Sequence, residues 1–305
     1  MLSFCYNSPG YEMNRIGKGN SSKFIVVTGA STGIGAGCAI RCAKSGMTVF
    51  AGVRDLRAGE ALVQQAGASI IPIRLDVTDL ESIREASQVV ERRVGGTGLF
   101  GLVNNAGVSI GGPLEVIPIP QLRRQLEVNV IGQIAVTQAF LPLIRMTRGR
   151  IVNMGSIAGR GTIPLMGPYS ASKFALEALT DALRMELQPW GIEVAIIEPG
   201  SIATPIWEKS LKVAHEIEEA VTEEGRRLYE PTVRQVKEAV GQAARRAIPV
   251  DAVVRAVLHA LLAPRPKTRY LVGTDAKIRA TMTKWLPDRL QDWMLRKLLK
   301  LSSRA

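Results

Sequence analysis

Residues 28–35 read TGASTGIG; they close an apolar, β-branched run that begins at residue 24 and lead into a stretch with helical periodicity. Glycines in such a strand-to-helix turn let the backbone approach a pyrophosphate, which the helix N-terminus attracts. An ordinary turn can use the same glycines, but the flanking strand and helix are the context that a dinucleotide site requires. The segment therefore predicts a dinucleotide-binding loop with Gly29, Gly33 and Gly35 as contacts.

Further apolar runs follow along the chain. They lie at 47–52, 69–77, 99–105, 150–156, 192–200 and 269–273, and segments of helical length and period, such as 79–94, 119–146 and 170–188, separate them. Alternating strands and helices predict parallel pairing through right-handed crossovers, and nearly continuous apolar strands indicate helices on both sheet faces. We expect an α/β fold of the Rossmann type, a doubly wound parallel sheet of seven strands in a three-layer sandwich.

The chain of 305 residues is 46% hydrophobic and 22% charged, which is a globular composition. No linker rich in Pro, Gly or Ser interrupts residues 24–285, so a single catalytic domain is predicted over 23–283. Within it, residues 201–247 are too long for an ordinary connection and predict a helical lid. Residues 1–22 are predicted to be a flexible leader, in which Met13 could be the true start, and residues 284–305 a basic amphipathic C-terminal helix.

The end of the second strand bears on the choice of cofactor. A site that prefers NAD(H) places a carboxylate there for the ribose 2′-hydroxyl, whereas a guanidinium suits the 2′-phosphate of NADP(H). This chain has Val53 at that place and Arg54 next, which favours NADP(H). Asp55 follows directly and keeps NAD(H) open as an alternative, and a solvated surface arginine is the alternative to a phosphate contact.

Three polar side chains in the second half of the chain form a catalytic pattern. Tyr169 and Lys173 are four residues apart, so on a helix they share one face. The ammonium is expected to lower the phenol pKa from about 10 toward neutrality, where a phenol can give or accept a proton as hydride moves. Ser156 follows a strand, where its hydroxyl can hold the substrate oxygen and stabilise a developing alkoxide.

These motifs, in this order and spacing, resemble the short-chain dehydrogenase/reductase family over residues 23–275. The matching segments are TGASTGIG at 28–35, LDV at 75–77, NNAG at 104–107, VNV around Asn129, Ser156, YSASK at 169–173 and EPG at 198–200. The resemblance implies an oxidoreductase that interconverts a carbonyl and an alcohol, with Asn129 positioning a water that relays protons from Lys173. It also implies cofactor contacts beyond the glycines and Arg54, namely Ser31, Ile34, Asp76, Val77, Asn105, Ala106, Tyr169, Lys173, Pro199, Gly200, Ile202 and Thr204.

Apolar and small residues at the start of the lid and after the NNAG turn can form the walls of an apolar pocket: Ile202, Ile206, Trp207, Val108, Ile110, Gly111 and Gly112. Packing of the lid on the body is the alternative interpretation. The long lid and basic tail are similar to the retinol and hydroxysteroid dehydrogenase branch of the family, which implies a retinoid- or steroid-like substrate. A reductase of acyl or other small ketones is the alternative, and a catalytically silent NADP(H)-binding scaffold is the alternative from a different class.

The net charge is +12, and residues 265–305 alone carry eleven basic and three acidic residues. Such an end attracts anionic surfaces, but no nucleic-acid-binding motif accompanies the charge, so nucleic acid is not expected as a partner. The predicted C-terminal helix gathers apolar residues on one face: Leu286, Leu290, Trp293, Met294, Leu298 and Leu301. This pattern predicts peripheral contact with a membrane, and packing on the protein itself or on a second subunit is the alternative.

The remaining expectations concern metals, cellular location, membrane spans and oligomeric state. Neither His215 nor His259 has a partner at metal-binding spacing, so no metal is expected. Cys5, Cys38 and Cys42 form no disulfide framework and the opening segment has no apolar signal core, so a cytoplasmic setting is expected. No stretch reaches the roughly 18 uncharged apolar residues of a membrane span. The family commonly pairs through two long central helices, here 119–146 and 168–188, which implies a homodimer or homotetramer.

Overall fold

A computed structural model of the protein describes residues 23–301. The predicted leader, with Cys5 and Met13, and residues 302–305 of the predicted C-terminal helix lie outside the described residues. The elements follow one another in the order β1 (Lys23–Val27), α1 (Gly33–Lys44), β2 (Met47–Val53), α2 (Leu56–Ala66), β3 (Ile70–Arg74), α3 (Leu80–Val94), β4 (Gly101–Asn104), α4 (Ile119–Leu126), α5 (Gly132–Thr147), β5 (Arg150–Met154), α6 (Gly167–Leu187), β6 (Glu193–Pro199), α7 (Ile206–Ala220), α8 (Glu223–Arg245), α9 (Asp251–Leu262), β7 (Arg269–Val272), α10 (Thr274–Trp285) and α11 (Asp288–Leu298).

The strands of the described chain form one parallel, seven-stranded sheet in the order β3-β2-β1-β4-β5-β6-β7, which confirms the predicted doubly wound fold. One buried apolar cluster joins α1 and α9 to one face of the sheet, and a second joins α3 and α5 to the other face. The sheet is therefore the middle of three layers. Because β1 lies between β2 and β4, the strand order reverses there and opens a crevice at the carboxyl ends, where such sheets bind ligands.

The strands end earlier than the apolar runs do. β3 stops at Arg74, whereas the predicted strand continued to Val77, and β5 stops at Met154 instead of Ser156. Beyond β3 the chain turns at once, because the Asp76 carboxylate accepts hydrogen bonds from the amide and the hydroxyl of Thr78, at 3.0 and 2.8 Å. The residues that leave the sheet in this way form the rim of the crevice.

The predicted helix over 119–146 is α4 and α5, joined by the π-helical turn Glu127–Ile131. Residues Ile119–Thr147 are long and apolar enough to cross a membrane by length and composition, which corrects the expectation that no stretch qualifies. In this fold Val136, Phe140 and Ile144 are fully buried among the residues that pack on the sheet. The apolarity of this helix is therefore that of a core helix.

The segment between β6 and α9, which the sequence marks as a lid, consists of α7 and α8. Its two ends meet at the base: the Ala203 amide donates to the Ile248 carbonyl at 3.0 Å, and the Ile248 amide donates to the Ser201 carbonyl at 3.0 Å. A small apolar cluster holds the lid against the loop after β4: Ile110, Ile117, Ile217 and Val221. The lid is therefore an insertion that is closed at its base and lightly attached elsewhere.

The C-terminal region differs from the single helix predicted over residues 284–305. α10 ends at Trp285, and α11 begins at Asp288. Pro287 has no amide hydrogen and disfavours helical backbone at the residue before it, and Leu286 is accordingly extended, with ψ 139°. The turn brings α11 back toward the crevice.

Candidate active site

A cavity of about 1320 Å³ opens at the carboxyl ends of the strands, and the lid, α10 and α11 contribute to its walls. The glycine loop, the ends of β2 and β3, the NNAG turn and the first turns of α6 line it as well. Every catalytic or cofactor-binding residue predicted from the sequence lines this cavity except two, Gly35 and Asn129. The structure thus brings segments from the whole length of the described chain to one place.

Two glycines of the loop allow close approaches that a side chain would prevent. Gly29 has φ +62°, and a Cβ atom there would lie 2.8 Å from the Cα of Ala106. A Cβ atom at Gly35 would lie 2.3 Å from the Gly29 carbonyl oxygen. Gly35 therefore supports the loop from behind by letting α1 pack against it, and the structure does not bring it to the cavity as a cofactor contact.

The N-terminus of α1 faces the cavity without a compensating charge. Thr32 precedes the helix but its side chain makes no capping hydrogen bond, and the first turn contains no acidic residue. Thr32, Gly33 and Ile34 all line the cavity. The free amide groups and the positive end of the helix dipole fit a pyrophosphate at this place.

Hydrogen bonds join the NNAG turn to the glycine loop. The Thr28 hydroxyl accepts from the amides of Asn105 and Ala106, at 2.9 and 3.0 Å. The Asn105 side chain donates to the carbonyls of Thr28 and Gly29, at 3.0 and 3.2 Å. The floor of the crevice is thereby fixed, and the Asn105 amide group is occupied in fixing it.

The end of β2 offers a free guanidinium. Arg54 lines the cavity, is exposed, and forms no ion pair within residues 23–301. The Asp55 carboxylate accepts from the Arg57 amide at 3.0 Å and pairs with the Arg57 guanidinium at 2.7 Å, and these hydrogen bonds lower the pKa of Asp55. Asp55 is thus committed to the start of α2, and Val53 supplies no charge for a ribose hydroxyl.

Three polar side chains meet on the floor of the cavity, where α6 passes the end of β5. The Nζ atom of Lys173 lies 5.7 Å from the centroid of the Tyr169 ring and donates to the Met154 carbonyl at 2.7 Å. The Ser156 hydroxyl accepts from the Ala158 amide at 3.1 Å, and its hydrogen bond with Tyr169 favours the ionised phenol. This arrangement can transfer a proton to or from an oxygen that is held by Ser156.

The electrostatics of these groups differ from the sequence-based expectation. Burial raises the pKa of Tyr169, and the hydrogen bond with Ser156 only opposes this effect in part. The expected fall toward neutrality is therefore not met, because burial disfavours the charged phenolate. The Lys173 ammonium is hydrogen-bonded to the Met154 carbonyl instead. Burial lowers the pKa of Lys173 to about 8, while the negative charge of Glu177 acts to raise it.

A buried cluster of charges lies behind this face of α6. Glu198 is fully buried and pairs with Arg160 and Arg269, and Arg269 also pairs with Glu177. Burial and the charge of Glu198 raise the pKa of Glu177 to about 7. The cluster holds α6 to the ends of β6 and β7, so it also fixes the position of Lys173.

The Asn129 side chain is occupied by the loop after β4. Its Oδ1 atom accepts from the Val108 amide at 2.9 Å, and its Nδ2 atom donates to the Val108 carbonyl at 2.9 Å and to the Ser172 hydroxyl at 3.1 Å. Gln125, one turn earlier, accepts from the Ile110 amide at 2.7 Å and donates to the same Val108 carbonyl. The water relay assigned to Asn129 stays a prediction. Gln125 was not predicted from the sequence, although an amide side chain four positions before Asn129 lies on the same helix face.

The part of the cavity beyond Ser156 and Tyr169, called the substrate end below, is lined by only some of the residues predicted for an apolar pocket. Ile202, Ile206, Trp207 and Val108 line the cavity, but Ile110, Gly111 and Gly112 do not. Ile110 packs beneath the lid, so the packing interpretation holds for this segment. Apolar residues that were not predicted for the pocket complete its walls: Ile163, Met166, Ile278, Met282, Leu295 and Leu298. No local pattern could reveal the last four, because only the folding of α10 and α11 brings them here.

The histidine and cysteine side chains do not form a metal site in the part of the chain that the structure describes. Among residues 23–301, no group of three or more His, Cys, Asp or Glu side chains is arranged to hold a metal ion. His259 Nδ1 lies 2.8 Å from the Tyr270 hydroxyl, and His215 lies 3.7 Å from Glu219. Cys38 and Cys42 are buried free thiols on α1, and burial raises the pKa of Cys42 to about 12.

Comparisons with known proteins agree with this site. A family model described as short chain dehydrogenase matches residues 23–216. The chain is 35% identical to an NADPH-dependent 3-dehydrocapnine reductase of Ornithobacterium rhinotracheale, over 91% of this chain and 98% of the relative. It is 36% identical to retinol dehydrogenase 5 of Mus musculus, over 90% of this chain and 88% of the relative. A short chain dehydrogenase from Burkholderia cenocepacia J2315, solved in complex with NADP, superposes with a TM-score of 0.68 and 26% identity, over 92% of this chain and 98% of that one.

Proposed function

The chain belongs to the short-chain dehydrogenase/reductase family of oxidoreductases, and from this premise we propose that it uses NADP(H) to interconvert a carbonyl and an alcohol on an apolar, retinoid- or steroid-like substrate. The observation that carries the proposal is the meeting of Ser156, Tyr169 and Lys173 on the floor of a cavity whose other end is the glycine loop. A silent scaffold would have no need of these three groups together.

The chain's own residues supply the acid–base chemistry. NADPH, when bound, provides the hydride for the carbonyl carbon. Ser156 donates a hydrogen bond to the carbonyl oxygen as negative charge develops on it, and Tyr169 gives that oxygen its proton. Lys173 stabilises the phenolate that remains, and in alcohol oxidation each proton moves in the opposite direction. Asn129 is proposed to connect Lys173 with solvent through water.

The cofactor residues are proposed in three groups. Gly29, Ser31, Gly33 and Ile34 hold the pyrophosphate, with Gly35 behind them. Asp76 and Val77 contact the adenine beside Asn105 and Ala106, and Pro199, Gly200, Ile202 and Thr204 close on the nicotinamide. NADP(H) is favoured because Arg54 is unpaired within the described chain and Asp55 is committed to α2. A relative that is named as NADPH-dependent supports the same choice.

The experiment is a turnover screen with NADPH and with NADH over retinaldehyde, steroid ketones, acyl ketones and simple ketones. We expect NADPH consumption with the retinoid or steroid, because apolar side chains dominate the substrate end of the cavity. Tyr169→Phe removes only the ionisable oxygen, so it should abolish turnover and leave NADP⁺ affinity nearly unchanged. Faster turnover of small ketones would contradict the substrate class, and binding of NADP⁺ without any turnover would favour the scaffold.

The proposal also includes an oligomeric state and a contact with a membrane surface. Apolar residues on the two long central helices are exposed, including Met146 of α5 and Phe174 and Met185 of α6, which supports a homodimer or homotetramer formed through α5 and α6. On α11, Leu290, Trp293 and Leu298 are exposed among basic residues, which supports peripheral contact of a cytoplasmic protein with an anionic membrane.

A further inference from the structure

Lys209, on the first helix of the lid, reaches the glycine loop. Its Nζ atom lies 3.3 Å from the hydroxyl of Thr32, the residue immediately before α1. Both residues line the cavity. The fold therefore places an ammonium of the lid at the entrance of the dinucleotide loop.

This ammonium has no acidic partner. The residues three and four positions away on either side are Ile206, Pro205, Lys212 and Val213, and no ion pair of Lys209 is formed anywhere in the described chain. The Thr32 hydroxyl is neutral, and the N-terminus of α1 is the positive end of a helix dipole, which repels a cation. An anion between the helix and the ammonium would turn both unfavourable contacts into attractive ones.

An anion bound at Lys209 would also hold the first part of the lid in place. A Cβ atom at Gly33 would lie 3.3 Å from the Cβ of Thr204, so the lid begins in contact with the glycine loop. α7 then carries Ile206 and Trp207 along the substrate end of the cavity before it reaches Lys209. Whatever holds Lys209 therefore also fixes the apolar wall that these two residues form.

We propose that Lys209 binds a phosphate group of the dinucleotide, so that the cofactor ties the lid to the glycine loop and orders α7 before the carbonyl substrate enters. This inference rests on the proposed NADP(H) function. It adds a cofactor contact from outside the motifs that identify the family, and it makes substrate binding depend on prior cofactor binding.

The binding test uses the full chain and titrates NADP⁺ and NAD⁺ by calorimetry at low salt. Lys209→Gln should raise the Kd of NADP⁺ by about fivefold or more, because it loses a charge-assisted contact with a dianion. Lys209→Arg should retain most of the affinity. Lys212→Gln is the matched control, since it removes a lysine one turn further along α7 that lines the same cavity but makes no contact with Thr32.

The two dinucleotides identify the phosphate. An equal loss with NADP⁺ and NAD⁺ assigns Lys209 to the pyrophosphate, and a loss with NADP⁺ alone assigns it to the 2′-phosphate. Unchanged affinity for both in Lys209→Gln, or an equal loss in Lys212→Gln, overturns the proposal. If the wild type binds neither dinucleotide, the proposed function itself fails, so the two failures are distinguishable.

The ordering of the lid is tested by limited trypsin digestion, with cleavage at the exposed residues Arg226 and Arg227 of α8 as the readout. Saturating NADP⁺ should slow this cleavage in the wild type and in Lys212→Gln. In Lys209→Gln, at equal occupancy, the protection should be largely lost. Cleavage that NADP⁺ does not slow in the wild type, or slows equally in all three proteins, overturns the coupling.

Discussion

Lys173 carries its charge inside the protein, and burial lowers its pKa to about 8. The ammonium is present below that pKa and is lost above it, so the sign of the pH dependence follows directly. In carbonyl reduction, kcat/KM at saturating NADPH should be level at lower pH and should fall as the pH rises through about 8. A pH–rate profile checks this expectation, and a rate that stays level to pH 10 would contradict the role of the ammonium.

Glu177 offers a way to move that pH dependence. Its carboxylate acts to raise the pKa of Lys173, and its own pKa of about 7 means that it is charged when Lys173 titrates. Glu177→Gln removes this charge, so the fall in kcat/KM should shift to lower pH. Glu186→Gln, an exposed position on the same helix, is the control and should leave the profile in place.

The third prediction at this scale concerns Arg54 and the choice of cofactor. Loss of a charge-assisted bond to the 2′-phosphate costs roughly 1.5–3 kcal/mol, which corresponds to about tenfold to a hundredfold in affinity. Arg54→Ala should therefore weaken NADP(H) binding by this factor and leave NAD(H) binding nearly unchanged, and adding Val53→Asp should favour NAD(H). Arg74→Ala, at the exposed end of β3, is the control. A wild type that already prefers NAD(H) would refute the assignment.

Among the elements, the π-helical turn between α4 and α5 carries the side chain that fixes the loop after β4. Asn129→Ala leaves the half-buried amide of Val108 without this partner and its carbonyl with Gln125 alone, which should lower the free energy of unfolding by about 1–3 kcal/mol. Urea denaturation measures the loss, with Gln138→Ala, an exposed position on α5, as the control. Unchanged stability with reduced turnover would instead indicate that Asn129 acts mainly in proton relay.

The elements also show what local sequence can predict. Periodicity and strand–helix alternation predicted the sheet and its layers, and fixed spacing predicted Ser156, Tyr169 and Lys173, because those features depend on neighbours along the chain. The end of β3 was misplaced because Leu75 and Val77, which line the crevice, resemble residues that line a core. The end of β5 was misplaced because Gly155 and Ser156 carry no local signal that the strand has stopped. The contact of Lys209 with Thr32 has no local signal, since it joins residues 177 positions apart.

At the scale of the whole molecule, one surface combines exposed apolar residues with the basic C-terminal region. Leu290→Asp with Trp293→Asp should abolish flotation of the protein with anionic vesicles at low salt, because both side chains are exposed and available for the lipid interface. Leu80→Asp, an exposed leucine on α3, is the control and should leave flotation unchanged. If the wild type does not float, α11 serves only as a wall of the cavity.

The meeting of Ser201 and Ala203 with Ile248 at the base of the lid has an evolutionary consequence. A segment whose two ends are adjacent can change its length or composition at little entropic cost to the rest of the chain. The strands, the glycine loop and the proton-transferring side chains all lie outside that segment. Within it, only Ile202, Thr204 and Lys209 are proposed to contact the cofactor. Substrate preference can therefore diverge by exchange of one continuous cassette, while the inherited hydride chemistry is conserved.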